Sequence, residues 1–204
     1  MTTLIDIVVF DGLDELDALG PMEVFRTADS FGAGLNARLV TRMSQDLVTG
    51  AHGLRFAPDG VLEPGRADIL VVPGGGWGTR AQAGAWAEVQ RGDLLEVLRA
   101  AAAGARITAG VCTGTMVLAH AGLLGDRRAS THRSALADLA ATGATAVTER
   151  VVDDGDLVTS GGVSSGIDMA LWLVERECGA ELADRVAEHM EYPRTRPADV
   201  RVSA

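Results

Sequence analysis

The chain has 204 residues, with 28 acidic against 18 basic side chains and a net charge of −10 at pH 7; its pI is near 4.8. All 18 basic residues are arginine, which excludes a lysine Schiff base with a carbonyl substrate or pyridoxal phosphate and removes the lysines of phosphate-binding loops and kinases. An acidic chain without a basic cluster also argues against a nucleic-acid partner, because that affinity comes mostly from neutralised phosphates and released counterions.

Apolar β-branched runs alternate with helical stretches along the chain. Residues 4–10 read as a buried strand, 16–28 as a helix, 37–41 as a strand, and 68–73 as a strand stopped by Gly74, Gly75 and Gly76. A helix over 85–103, a strand over 106–111, a helix over 113–121, a short strand over 128–131 and a helix over 134–141 follow. Residues 145–153 and 157–160 read as strands around an Asp-Asp-Gly-Asp turn, and 165–177 and 181–189 as two helices broken at Gly179. Ser165-Gly166-Ile167-Asp168 has the form of a capping box. This alternation predicts an α/β fold: a doubly wound, mostly parallel sheet with helices on both faces. In such sheets ligands bind beyond the carboxyl ends of the strands, so the turns after Phe10, Pro73, Val111 and Ser160 are the expected seat of function.

Length and a hydrophobic content of 47% fit one domain over 1–192, with 193–204 as a loosely ordered polar tail. Cys112 and Cys178 have no CxxC spacing, which supports neither a disulfide framework nor a zinc site. The N-terminal run has no positive leader and carries Asp6. Residues 107–125 hold no formal charge and are long enough to span a membrane, but Thr108, Thr113, Thr115, His120 and interspersed glycines make them a strand, a turn and a helix instead. A cytoplasmic protein with no membrane partner is expected.

Gly110-Val111-Cys112-Thr113-Gly114 has the G-x-nucleophile-x-G form of a nucleophile elbow, with sulfur in place of the usual hydroxyl. A thiol at a helix N-terminus is expected to have a lowered pKa; the alternative is a small buried cysteine that packs where helix meets sheet. Cys178, among glutamates at a helix end, reads as structural. Pro73-Gly74-Gly75-Gly76 fails the dinucleotide fingerprint, and is either a plain turn or a source of backbone N–H donors together with Thr113. The four histidines show no metal-ligand spacing. Asp17, where the first helix begins, reads from the local pattern as an N-cap ahead of a proton-handling group.

Asp17-x-x-Gly20-Pro21-x-Glu23-Val24, Val72-Pro73-Gly74-Gly75, Val111-Cys112-Thr113-Gly114, Ser130-Thr131-His132 and Ser160-Gly161-Gly162-Val163-x-x-Gly166-Ile167-Asp168 together resemble the ThiJ/PfpI family of the class I glutamine amidotransferase-like, flavodoxin-like fold. Within it the resemblance is nearest to isocyanide hydratases and the input domains of AraC-type regulators. It implies Cys112 as nucleophile, Asp17 as the carboxylate that contacts its sulfur, Thr113 and Gly75 as backbone donors, and His132, Arg133, Gly161 and Gly162 around a possible pocket. It also implies a homodimer acting on a small-molecule substrate, with no cofactor and no metal.

The histidine that protease-like members carry directly after the cysteine is absent, as are the histidine and glutamate of glutaminase relatives near 160–162. Peptidase and amidotransferase activities are therefore not expected. The implied reaction is hydration of an isocyanide to an N-substituted formamide through a covalent thioimidate. The alternatives are a cysteine-based redox or ligand sensor and a glyoxalase-like enzyme acting on small α-oxoaldehydes. An AraC-type sensor would continue into a DNA-binding domain, which the sequence to Ala204 does not show. One departure concerns Arg133: hydratase-like sequences tend to carry tryptophan there, and an arginine at a pocket wall would favour a more polar or anionic substrate.

Overall fold

Apolar side chains dominate every strand at the centre of the molecule. In the computed structural model, which describes residues 2–197, the elements in chain order are β1 (Thr3–Val8), α1 (Glu15–Ser30), β2 (Leu35–Thr41), β3 (Val48–Thr49), β4 (Arg55–Phe56), β5 (Gly60–Val61), β6 (Ile69–Val72), α2 (Ala85–Arg91), α3 (Asp93–Ala102), β7 (Ile107–Val111), α4 (Gly114–His120), β8 (Arg128–Ala129), α5 (Leu136–Ala141), β9 (Thr145–Ala146), β10 (Val151–Asp153), β11 (Leu157–Ser160), α6 (Ser165–Cys178) and α7 (Ala180–His189). A single 3-10 turn, Arg133–Ala135, leads into α5.

The main sheet has seven strands in the order β10-β11-β7-β6-β1-β2-β5. All neighbours are parallel except the edge pair β10 and β11. From β1 the chain first adds strands on one side, then returns to add β6 and β7 on the other, so the switch in winding lies between β1 and β6. The four strands whose carboxyl-end turns were expected to matter, β11, β7, β6 and β1, are consecutive in the sheet. Their turns therefore converge.

Ile5, Ile7, Ile69, Leu70, Val71 and Ile107 are all at most 1% exposed, as a parallel sheet covered on both faces requires. Each such burial is worth roughly 1.5–3 kcal/mol. Helices α1, α6 and α7 pack on one another, and α4 packs with α2, α3 and α5. Asp6 interrupts β1 and is fully buried; Arg38, its register neighbour on β2, donates from Nε and an η nitrogen, both at 2.9 Å. Burial outweighs that pairing and pushes the Asp6 carboxyl above its ordinary pKa.

Four local expectations need correction. The single helix over 85–103 is two helices, because Gly92 adopts φ 81° and ends α2 with a left-handed cap. The strand over 145–153 divides: β9 pairs with β8 in a ribbon of its own, whereas β10 joins the main sheet. The capping box does not form. Ser164 is the N-cap of α6 and makes no side-chain cap bond, and buried Asp168 instead accepts from Arg150 Nε (2.5 Å), Tyr192 OH (2.8 Å) and the Thr195 N–H (2.6 Å). Residues 193–197, expected as the start of a loose tail, are held there and by Arg194, whose side chain is 7% exposed and pairs with Glu175 and Asp184. The remainder of that tail, 198–204, lies outside the described residues.

Candidate active site

Only Cys112 and Thr113 separate the end of β7 from the start of α4. Cys112 adopts φ 56°, a left-handed conformation that costs a non-glycine residue on the order of 1 kcal/mol or more. Its surroundings fix it there. The Cys112 N–H donates to the carbonyls of Ser160 (3.2 Å) and Gly161 (3.0 Å), and its carbonyl accepts the Thr131 hydroxyl at 2.8 Å. The glycine after it is sterically obligatory: a Cβ on Gly114 would lie 1.9 Å from the Val72 carbonyl oxygen. The turns after β6 and β7 thus touch, and the sharp strand-to-helix turn expected around Cys112 is present, with a left-handed backbone at the cysteine itself.

Asp17 is not the cap of α1. Asp14 is, accepting the Leu16 N–H at 3.2 Å. One turn on, the Asp17 side chain points inward and is fully buried. Its Oδ2 accepts the Gly74 N–H at 3.0 Å, and its carboxyl is in side-chain contact with the Cys112 thiol. Oδ1 has no partner at full hydrogen-bonding geometry among the described residues. The neighbouring Gly20 and Pro21 let α1 approach α6: a Cβ on Gly20 would meet Ile167, and one on Gly166 would meet Val111 and Pro21.

The electrostatics run against the lowered thiol pKa expected from the helix terminus. Burial pushes the Cys112 thiol up and the Asp17 carboxylate adds to it, against the N–H groups of Val163 and Thr113 that face the sulfur. Helix α4 has seven residues, and a terminal dipole worth about 0.3–1 kcal/mol does not offset desolvation of this size. Burial likewise pushes Asp17 up to about 8, with the charge of Asp14 adding to it, against the N–H groups of Gly74 and Val163 and the thiol. Both members are therefore pushed toward their protonated forms, and the two titrate together.

The backbone-donor expectation needs partial correction. The Gly75 N–H donates to Thr113 Oγ1 at 2.9 Å, so it is occupied, and the Thr113 N–H faces the Cys112 sulfur. A donor the sequence did not disclose is the N–H of Val163, directed at both Cys112 and Asp17. Val163 has φ 48°, and no local pattern signals a left-handed β-branched residue. The Thr131 hydroxyl was likewise missed.

His132 and Arg133 lie with Gly161, Gly162 and Val163 on the wall of one cavity of about 560 Å³. Cys112, 5% exposed, sits behind that wall. His132 Nδ1 accepts the Ser134 N–H at 3.2 Å, and no histidine contacts Cys112 among the described residues. Cys178 is half-buried, with its Sγ 3.9 Å from the Ala33 carbonyl, far from this turn. Asp14, Glu15 and His52 bring ligand-type atoms within 4.8 Å of one another. Glu15 spends its oxygens on the His52 and Leu54 N–H groups and on His52 Nδ1, tying the segment between β3 and β4 to α1.

The sequence profile of the DJ-1/PfpI family matches residues 4–176. The chain belongs to the DJ-1/PfpI family. It is 36% identical over 202 residues to isonitrile hydratase of Pseudomonas putida, covering 98% of this chain and 82% of that protein. It is 31% identical over 193 residues to the HTH-type transcriptional regulator CdhR of Pseudomonas aeruginosa, covering 93% of this chain and 55% of the regulator. Among solved structures, a ThiJ/PfpI family protein from Pseudomonas syringae superimposes with a TM-score of 0.83 at 28% identity, covering 97% of this chain and 78% of that one. Drosophila melanogaster DJ-1beta, at 22% identity and a TM-score of 0.79 over 95% of this chain and 100% of its own, shares the DJ-1/PfpI fold. No helix among the described residues is long and apolar enough to cross a membrane.

Proposed function

We propose that this DJ-1/PfpI protein hydrates an isonitrile to an N-substituted formamide with Cys112 as nucleophile and Asp17 as proton carrier. The observation that carries the reading is the buried Asp17 carboxyl lying against the Cys112 thiol, with no histidine bonded to either among the described residues. The similarity to isonitrile hydratase supports the choice of reaction.

The chemistry suits such a pair. The terminal carbon of R–N≡C is attacked by sulfur and must also gain a hydrogen, so the thiol adds across one atom: the S–C bond forms, and the thiol proton reaches the carbon by way of Asp17. The product is a thioimidate, R–N=CH–S. Water then adds across C=N, giving nitrogen one proton and carbon a hydroxyl. Collapse of that adduct to the formamide R–NH–CHO breaks the C–S bond and returns the hydroxyl proton, through Asp17, to sulfur. Isonitrile plus water balances with no cofactor. In this reading Val163 and Thr113 N–H groups stabilise charge as it develops on sulfur, and the strained elbow holds the sulfur in place.

A peroxide sensor would need a persistent thiolate, and the upward shift at Cys112 weighs against that alternative. The test is formamide production from an aryl isocyanide by the purified protein, with methylglyoxal as a parallel substrate. Turnover of the isocyanide, lost in Cys112→Ala, supports the reading; consumption of methylglyoxal alone replaces it with the glyoxalase-like one. A homodimer belongs to the same proposal and is tested by sedimentation.

A further inference from the structure

We propose that the cavity beside Cys112 is a carboxylate subsite: the substituent of the preferred isonitrile carries an anionic group, held by the guanidinium of Arg133 and the Nε2–H of His132. The inference rests on the hydratase reading and specifies its substrate class.

The charges around the cavity cancel except at Arg133. Of its other lining groups, Glu149 pairs with Arg128 at 2.8 Å and Arg150 with Asp168 at 2.5 Å. Arg133 lines the same wall and has no carboxylate partner among the described residues. In a chain of net charge −10, a guanidinium left without a partner beside a nucleophile is a local exception to the prevailing field. Its planar fork matches a carboxylate bidentately.

His132 supplies a second donor. Because its Nδ1 accepts the Ser134 N–H and lies 2.8 Å from the Ser134 hydroxyl, the neutral ring carries its proton on Nε2. That nitrogen has no partner among the described residues, and the ring lies against Gly162, where a Cβ would come within 2.2 Å of His132 Cδ2. Glycine at 162 keeps this wall open to the imidazole.

The cavity is tied to the nucleophile through its own wall. Thr131, Gly161 and Val163 line it, and these residues respectively bond the Cys112 carbonyl, accept the Cys112 N–H and direct an N–H at the sulfur. In this proposal the substituent of an isonitrile, whose terminal carbon is at the sulfur, runs along this wall toward Arg133.

The test compares 4-isocyanobenzoate with neutral 4-isocyanobenzamide. The parent should favour the carboxylate in kcat/KM by about tenfold, the size of one charge-assisted hydrogen bond. The preference should fall with added salt, drop to about one in Arg133→Gln, return in part in Arg133→Lys and invert in Arg133→Glu. A parent ratio of one, or a ratio unchanged by Arg133→Gln, overturns the subsite while leaving the hydratase intact. If neither isonitrile turns over, the hydratase reading fails. Calorimetric binding of 4-formamidobenzoate and its amide to parent and Arg133→Gln then still decides the subsite: tighter carboxylate binding lost in the variant upholds it, and equal binding overturns it.

Discussion

The carboxyl of Asp17 lies buried against the thiol of Cys112, and each group is pushed toward its protonated form. Asp17 reaches that position from the first turn of α1, with one oxygen anchored by the Gly74 N–H at 3.0 Å.

A proton carrier that must begin protonated gives a rate that is level below its pKa and declines above it. We expect kcat/KM for isocyanide hydration to fall as pH rises through about 8, where Asp17 ionises. Asp17→Asn should lower the rate by about 100-fold or more. A pH–rate profile checks both, and a rate that climbs through pH 8 would mean that the ionised carboxylate is the working form.

The same shift has a cost in stability. The native state holds the Asp17 proton up to about pH 8, whereas the unfolded chain releases it near 3.8. Between those values the native state binds more protons, so stability declines as pH rises across the window. Asp17→Asn, neutral at every pH, should therefore be more stable than the parent at pH 8, by on the order of a few kcal/mol, with no such gain below pH 3.8. Thermal melts at the two pH values measure it.

Cys112 and Cys178 should separate cleanly. Replacing Cys112 by alanine should reduce turnover to background, whereas Cys178→Ala, remote from the site and half-buried, should keep activity within about twofold. Mass spectrometry of the parent quenched during turnover should find substrate-derived mass on the peptide containing Cys112, and labelling at Cys178 would redirect the assignment.

Gly114→Ala should be severely destabilising, by more than about 3 kcal/mol, because its Cβ would sit 1.9 Å from the Val72 carbonyl and neither backbone can yield without separating the start of α4 from the end of β6. Denaturant unfolding measures the loss.

Arg38→Met leaves Asp6 fully buried without its cation, which costs about 3 kcal/mol or more at pH 7. The deficit should shrink toward low pH, as Asp6 takes up a proton; a deficit that stays constant with pH would point to lost packing by the Arg38 stem instead.

Features held by neighbouring residues were legible in the sequence. The β-branched runs of β1, β6, β7 and β11 and the glycines flanking Cys112 identify the sheet, the elbow and the edge at which the turns meet, because strand formation and tight turns depend on local sterics. Where local patterns compete, the sequence reading failed: Gly92 divides a helix that its apolar spacing alone would continue, and Asp168 leaves a capping position for Arg150 and Tyr192 on other segments.

By itself, then, the sequence determined the α/β layering, the tight turn around Cys112 and the absence of lysine chemistry, all consequences of residue type and spacing. Only the tertiary structure decided that Asp17 faces the thiol instead of capping α1, that Val163 and not Gly75 offers its N–H there, and that Arg133, in the cavity wall, has no carboxylate partner among the described residues. It also reversed the expected direction of the Cys112 pKa. Desolvation depends on every segment packed around a group, and for a buried thiol beside a carboxyl it exceeds what a short helix terminus supplies.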